Sequence, residues 1–226
     1  LFAVVFFPQI AGMVIFALYL LGIIMAILIA LALKRFLLSE AASPLVMELP
    51  MYQMPTLHGS LHHMWERGLM FLKQAGTYLM VGAFVIWGIS SFGPSGYGVP
   101  LDETFVSIVG RAIEPVFAHL GFSWQIVVGL IFGLLAKEAV IQSLSIIYAV
   151  QGTTALGAAL MASMTPPSAL ALMVFVLLYV PCVGTVGAVR RETGSWKWTG
   201  FSVAYQLLLA YVMATVVYLI GGLFLA

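Results

Sequence analysis

Uncharged hydrophobic stretches dominate the chain, and short clusters of charged residues separate them. Charged side chains are absent from residues 1–33, 74–101, 139–189 and 198–226. A helix needs about 20 mostly apolar residues to cross the hydrocarbon core of a bilayer. Backbone polar groups in lipid must be satisfied within the segment, which favours helices. The pattern therefore predicts about five hydrophobic helical segments, near residues 10–33, 74–92, 124–149, 168–189 and 199–225.

Composition places much of the chain in lipid rather than in water. Of its 226 residues, 63% are hydrophobic and only 8% are charged, whereas a soluble domain carries about 25% charged residues. The net charge of +1 predicts no nucleic-acid partner. The sequence shows neither a phosphate-binding loop motif nor a nucleophile–base–acid set, so we expect no enzyme in this chain. The predicted fold class is all-α, a polytopic integral membrane bundle of helices.

Charges and helix-breaking residues divide the chain into four parts. They are a first transmembrane segment (1–33), a cytoplasmic loop with an interfacial amphipathic helix (34–73), a transmembrane helix with an external loop (74–123), and a last part with the C-terminal transmembrane helices (124–226), whose gate-like segment is implied by the resemblance given below. The sequence begins at Leu1, without a methionine and directly in a hydrophobic stretch. We therefore expect Leu1 to lie inside a longer polypeptide.

The distribution of lysine and arginine conflicts with five simple crossings. Loop 34–73 holds four of these residues and loop 190–198 holds three, whereas loop 93–123 holds only one. The positive-inside rule places the first two loops in the cytoplasm and the third outside. Five complete crossings would put loop 190–198 outside instead. We therefore expect one segment between residues 124 and 189 to be broken or re-entrant, with protein or a water-filled cavity covering the irregular backbone.

Lys137 and Glu138 mark the first natural break point, in the middle of the third hydrophobic segment. A charge at the bilayer centre costs at least ~2.5–3.5 kcal/mol, so an ionisable residue there predicts a functional role. Adjacent residues on a helix point about 100° apart, and each charge therefore needs its own partner. We expect Glu138 to line a cation pathway. The alternative is a helix near the interface, with Lys137 extending its ammonium group to the headgroups.

Pro181 marks the second natural break point, in the fourth hydrophobic segment. A proline removes one backbone donor and leaves the carbonyl four residues earlier without its helical partner. Cys182 follows directly, and a thiolate is a soft ligand that suits iron, zinc or copper(I). Tyr179 and Thr185 could add oxygen ligands, and Gly184 would let another backbone approach closely. The alternative is a kinked packing helix around a buried, inert cysteine.

Several strings of residues occur together in a characteristic order. They are Ala42-Ser43-Pro44, Trp65-Glu66-Arg67, Ile113-Glu114-Pro115, Ala136-Lys137-Glu138, Leu177-Leu178-Tyr179-Val180-Pro181-Cys182 and Arg190-Arg191-Glu192-Thr193-Gly194-Ser195-Trp196-Lys197-Trp198. In order and spacing they resemble the C-terminal membrane half of the ferrous iron transport protein B family, including its second gate segment. The resemblance runs from about residue 20 to the end. Its most specific part is the segment from Pro181 and Cys182 to the tail that follows.

The resemblance implies the membrane permease portion of a GTP-dependent Fe²⁺ importer in a bacterial or archaeal cell inner membrane. Family members carry a GTP-binding domain and a first gate, both missing from this sequence, so GTP and Mg²⁺ would act only in that absent domain. Fe²⁺ would be the substrate, with no permanently bound cofactor. The implied partners are the lipid bilayer, small cytoplasmic accessory proteins and further copies of the protein in a homo-oligomer.

The resemblance also assigns roles to individual residues. The family motif maps onto Pro181 and Cys182, where the cysteine is proposed to contact iron, and Gly184 stands where the family usually has alanine. The expected iron path therefore contains Cys182 and Glu138, and the expected gate or helix break contains Tyr179, Pro181, Gly184, Thr185 and Lys137. Two alternatives stay open. One is a carrier of another solute such as a nucleoside, because the gate segments of such carriers are described as similar, and the other is a non-transporting membrane scaffold.

Overall fold

The computed structural model describes residues 1–36, 56–180 and 182–224. Within those residues, the only strands are β1 (Phe92–Gly93) and β2 (Gly96–Tyr97), which form an antiparallel hairpin. The rest of the regular structure is helical. The α-helices are α1 (Phe2–Phe6), α2 (Ala11–Phe36), α3 (Leu57–Ser91), α4 (Phe105–Phe117), α5 (Trp124–Gly133), α6 (Ala139–Ile147), α7 (Thr153–Ser163), α8 (Pro166–Leu178), α9 (Val183–Thr193) and α10 (Trp196–Phe224).

Four helices of the described chain are long and apolar enough to cross a membrane. They are Ala11–Arg35, Leu57–Ser91, Pro166–Thr193, which runs through position 181, and Trp196–Leu223. A fifth candidate is the pair Phe105–Leu120 and Trp124–Gly133, which is bent by 107°. The bend lies at Gly121, whose φ of 72° falls in the left-handed region that glycine adopts without steric cost. The prediction of an all-α, polytopic membrane bundle with about five hydrophobic segments is confirmed.

Helix α3 joins two segments that the sequence analysis divided. The predicted boundary between an interfacial helix and a transmembrane helix lies at residue 73, but α3 runs unbroken from Leu57 to Ser91. No proline falls between these ends, so nothing removes a helical hydrogen bond at the expected boundary. Its 35 residues correspond to about 50 Å of helix, longer than the roughly 30 Å hydrocarbon core. Part of α3 therefore extends beyond the hydrocarbon region.

The third hydrophobic segment folds as a re-entrant hairpin of α5 and α6. Gly129 of α5 faces Leu144 of α6, and Gly133, four residues later, faces Val140, four residues earlier. This pairing makes the two helices antiparallel, with residues 134–138 as the turn between them. Both outer ends of the hairpin therefore lie on the same side of its turn, and we expect the segment to enter and leave the membrane on one side.

The fourth hydrophobic segment is interrupted as well, between α8 and α9. Helix α8 ends at Leu178, and α9 begins at Val183. The backbone nitrogen of Val183 donates to the carbonyl of Leu134, in the turn of the re-entrant hairpin, at 2.9 Å. The sequence predicted one broken segment, whereas the structure has two, and their breaks are bonded to each other.

The buried core lies where the re-entrant hairpin meets α8 and α10. Leu144 of α6, Leu172 of α8 and Ala214 of α10 have no accessible surface. The bend between α4 and α5 is tied to α10, because the hydroxyl of Tyr211 donates to the carbonyl of Val116 at 3.1 Å. This packing fixes the depth of the hairpin relative to the break between α8 and α9.

The re-entrant hairpin removes the conflict with the positive-inside rule. Because residues 124–147 enter and leave on one side, the α8–α9 segment crosses in the opposite direction from α3. Its charged end then returns to the side that holds Lys73, and Arg190 and Arg191 do line one cavity with Lys73. Lys73 therefore lies on the same side as residues 190–198, the side that the rule assigns to the cytoplasm.

The re-entrant topology can be tested by labelling single cysteines with a membrane-impermeant maleimide, in a Cys182→Ser background. We expect Ser95→Cys and Gln151→Cys, both at exposed positions, to label from one side of the membrane. Lys197→Cys should label from the other side. Labelling of Ser95→Cys and Lys197→Cys from one side, with Gln151→Cys labelling from the other, would mean that residues 124–147 cross the bilayer.

A second prediction concerns the contact between the hairpin and the end of α8. A Cβ at Gly133 would meet the hydroxyl of Tyr179 and lie 2.5 Å from Val140, so Gly133→Ala should destabilise the fold by about 1–3 kcal/mol. The matched control is Gly222→Ala, because nothing lies within 4 Å of a Cβ there. Alanine at Gly222 should be neutral or stabilising in a helix. Thermal unfolding in detergent measures both, and equal melting temperatures for the two variants would refute the close contact.

Candidate functional site

The candidate site is the place where the two helix breaks meet, here called the break junction and defined as residues 134–138 with residues 179–182. Cys182 is the N-cap residue of α9, and Glu138 is the N-cap residue of α6. Two helices therefore begin at the junction. The N-terminal end of a helix carries partial positive charge and stabilises anionic groups. Cys182 and Glu138 both lie at helix ends of this kind.

The ammonium group of Lys137 lies at the C-terminal end of a helix, α8. Its Nζ donates to the carbonyl of Leu177, in the last turn of α8, at 3.2 Å. Leu177 is four residues before Pro181, which has no N–H to offer, so this carbonyl lacks a helical donor. Nζ also lies 5.3 Å from the ring centroid of Tyr179, a cation–π contact. The carbonyl that the proline frees is therefore occupied by the one ammonium group at the described part of the junction.

Cys182 lies among polar groups contributed by both breaks. Its Sγ is 3.5 Å from Oγ1 of Thr185, one turn into α9. Lys137 and Glu138 are each close enough to Cys182 to interact with it electrostatically. Cys182 is half-buried, and Glu138 is exposed on the surface of this chain. The structure thus brings together Lys137, Glu138, Cys182 and Thr185, which are 48 residues apart in sequence at their extremes.

Tyr179, for which the sequence analysis offered a role as an oxygen ligand, is buried at the junction. Its side chain is 3% exposed, and its hydroxyl lies against Gly133. That hydroxyl has no hydrogen-bond partner within the described residues. The ring instead covers the ammonium group of Lys137, so Tyr179 packs the junction closed. Gly184 is half-buried in the first turn of α9, and Pro181 lies outside the described residues.

Two glycines that the sequence analysis did not single out let the helices meet here. Gly82 of α3 faces both breaks, since a Cβ there would lie 2.7 Å from Leu135 and 3.6 Å from Val183. A Cβ at Gly133 would likewise meet the hydroxyl of Tyr179, so glycine is needed for that contact as well. Glycines inside hydrophobic helices allow close approach, and Gly129 with Gly133 has the small-xxx-small spacing typical of helix contacts in membranes. The spacing of Gly129 and Gly133 is the sequence feature from which this helix contact could have been predicted.

The described residues do not form a closed metal cage. They contain no group of three or more histidine, cysteine or acidic side chains that could hold a metal ion. Cys182 and Glu138 supply two such groups, and backbone carbonyls and Thr185 could supply only weaker oxygen donors. A cavity of about 360 Å³ between α6 and α8 reaches Lys137. The junction therefore lies beside this cavity, with Glu138 on the exposed surface.

Comparison with protein families divides the chain into two matched regions. Residues 15–67 match the family described as ferrous iron transport protein B C terminus. Residues 72–196 match the Gate family, described as nucleoside recognition. The second region covers more than half of the chain and includes the whole break junction. No solved structure matches the chain significantly.

Curated relatives cover nearly all of the chain. The Fe(2+) transporter FeoB of Staphylococcus aureus is 40% identical over 225 residues, 99% of this chain and 34% of that protein. That of Methanocaldococcus jannaschii is 37% identical over 231 residues, with the same two coverages. A Porphyromonas gingivalis protein named an Fe(2+) transport protein A/Fe(2+) transporter FeoB fusion is 33% identical, over 99% of this chain and 32% of its own length. The chain spans about a third of these relatives, and it belongs to the ferrous iron transport protein B family.

Proposed function

We propose that this chain is the membrane permease portion of a GTP-dependent Fe²⁺ importer and that the ion passes through the break junction. The observation that carries the proposal is the meeting of two interrupted helices, with Cys182 and Glu138 at the two helix N-termini. Transporters use interrupted helices at the bilayer midplane to expose backbone groups to a substrate. The relatives that match the whole junction are named Fe(2+) transporters.

The ligand chemistry suits a ferrous ion in transit. Cys182 offers a soft sulfur ligand, which distinguishes a transition metal from Mg²⁺ or Ca²⁺. Glu138 adds negative charge, and the carbonyl of Leu177 adds an oxygen already freed from the helix. Conduction requires binding that is strong enough for entry and weak enough for release. A few ligands at an exposed junction meet that requirement better than a closed four-ligand cage.

Lys137 excludes cations from this site when no substrate is bound. Its ammonium group takes the freed carbonyl of Leu177, which is the position most attractive to a cation. A divalent ion about 4 Å from that ammonium group would be repelled by roughly 8 kcal/mol at an effective dielectric constant near 20. The two charges therefore do not share the junction, and Lys137 has to leave Leu177 before Fe²⁺ binds there. This movement is the step by which the gate opens.

In this proposal, further parts of the complete protein and its partners supply GTP binding and the first gate. GTP and Mg²⁺ act in a separate GTP-binding domain, whose movement reaches the junction through the cytoplasmic loops, and no cofactor stays bound to this chain. A first gate, small cytoplasmic accessory proteins and a homo-oligomeric arrangement complete the assembly in the cell inner membrane. The fusion of an Fe(2+) transport protein A with a relative of this chain supports a role for an accessory protein. The chain itself then carries transport and no catalysis.

A nucleoside carrier is the second candidate, because the matched Gate family is described as nucleoside recognition. It would need polar side chains for a sugar and a base, and Cys182 would be dispensable. A non-transporting scaffold is the third, and there neutralising Glu138 should stabilise the protein without loss of activity. The iron hypothesis differs from both in requiring the thiol.

The first functional prediction concerns the thiol. In the complete protein, Cys182→Ser should lower Fe²⁺ uptake by about tenfold or more, because serine keeps the size of the side chain and loses the soft ligand. Uptake of ⁵⁵Fe²⁺ by cells is measured at matched amounts of protein in the membrane. The control is Thr193→Ser, a conservative change on the same helix α9 at an exposed position, which should leave uptake unchanged. Full uptake by Cys182→Ser would make the cysteine a packing residue.

The second functional prediction concerns the ammonium group. Lys137→Gln should lower the KM for Fe²⁺ uptake by about tenfold or more, because it removes the charge that opposes the ion. Lys137→Arg, which keeps the charge, should stay close to the wild-type KM. Lys197→Gln is the matched control, because Lys197 is exposed in the first turn of α10, far from the junction in the bundle. A KM that rises in Lys137→Gln, or falls equally in Lys197→Gln, would contradict exclusion by Lys137.

A further inference from the structure

A cavity of about 660 Å³ lies between α3, α9 and α10, away from the break junction. Three cationic side chains line it, Lys73 of α3 with Arg190 and Arg191 of α9, and Trp196 of α10 forms part of its wall. We call this cavity the basic pocket. The iron path does not use it.

The basic pocket is held in shape by contacts on two sides. On one side, the ring of Tyr78 in α3 packs directly on Gly187 of α9, which brings these helices together one turn above the arginines. On the other side, Cζ of Arg190 lies 4.9 Å from the ring centroid of Trp196. This cation–π contact orients the guanidinium plane. The pocket is therefore an open groove where three packed helices meet.

The polar groups that line the basic pocket favour binding of an anion. The buried Nε of Arg190 has no hydrogen-bond partner within the part of the chain that the structure describes. A buried donor without an acceptor is costly, and a planar guanidinium group matches the paired oxygens of a phosphate. Among the described residues, no acidic side chain is one of those that line the pocket.

The position of the basic pocket indicates which kind of molecule would carry a phosphate bound there. It lies at the end of α9 and the start of α10, on the side that the positive-inside rule assigns to the cytoplasm. Trp196 and Trp198 are 70% and 44% exposed there, as expected for an aromatic belt at headgroup level. Basic pockets between transmembrane helices on this side bind anionic lipid headgroups. We propose that the basic pocket binds the phosphate of an anionic phospholipid of the inner leaflet.

Lipid binding at this place would join the middle of α3 to the end of α9 and the start of α10. The proposal does not depend on which solute the junction carries, since it concerns a separate site. It predicts selectivity for a headgroup with net negative charge over a zwitterionic one. It also predicts that each lost cation weakens binding by about fivefold, the equivalent of about 1 kcal/mol for each basic residue at a membrane surface.

Native mass spectrometry of the complete protein in detergent tests this proposal with two defined lipids. The wild-type protein should bind phosphatidylglycerol more tightly than phosphatidylcholine. Arg190→Gln and Lys73→Gln should each weaken phosphatidylglycerol binding by about fivefold and leave phosphatidylcholine binding unchanged. The matched control is Arg111→Gln, because Cζ of Arg111 lies 5.0 Å from the Trp124 ring, a similar stacking on the other side of the membrane. That variant should bind both lipids as the wild type does.

Three outcomes would overturn the proposal. They are equal affinity of the wild-type protein for the two lipids, an equal loss of phosphatidylglycerol binding in Arg111→Gln, and full displacement of phosphatidylglycerol by millimolar inorganic phosphate. The last would identify a site for a soluble anion rather than a lipid. If Arg190→Gln does not fold, the wild-type lipid comparison and Lys73→Gln still decide between these outcomes.

Discussion

Backbone polar groups in a bilayer have no water to bond, and the whole junction depends on how two interrupted helices satisfy theirs. The nitrogen of Val183 would be an orphan donor at the start of α9, and it bonds the carbonyl of Leu134 from the other break. The carbonyl of Leu177, which Pro181 leaves without a helical donor, accepts from Lys137. Each break therefore supplies a hydrogen-bond partner for a backbone group of the other break. Neither break would be stable alone at that depth, because its backbone group would be left unpaired.

The same constraint explains why charged residues are tolerated at this depth. Glu138 and Cys182 lie at helix N-termini, where the helix dipole favours negative charge, and Lys137 lies at a helix C-terminus, where it favours positive charge. Each of the three groups therefore lies at the helix end whose partial charge is opposite to its own.

The hydrophobic pattern was sufficient to predict the fold class, and the positive charges were sufficient to predict an interruption between residues 124 and 189. Lys137 and Pro181 could be singled out because an intramembrane charge and a proline each have a local physical cost. The contact between their segments could not be predicted, because it depends on Gly82 and Gly133 admitting neighbours from distant parts of the chain. The continuity of α3 through residue 73 was also missed, since amphipathic and fully apolar stretches can follow one another in a single helix.

The second interruption follows from the first on geometric grounds. The turn of a re-entrant hairpin lies inside the membrane, and it exposes backbone groups that need partners at that depth. An unbroken α8–α9 helix would have used its own donors and carbonyls internally and left the carbonyl of Leu134 unsatisfied. A break at residues 179–182 releases one donor and one acceptor at the required level, the nitrogen of Val183 and the carbonyl of Leu177. The proline next to the only cysteine of the chain therefore has a structural reason that is independent of metal chemistry, and it places the thiol at the same point.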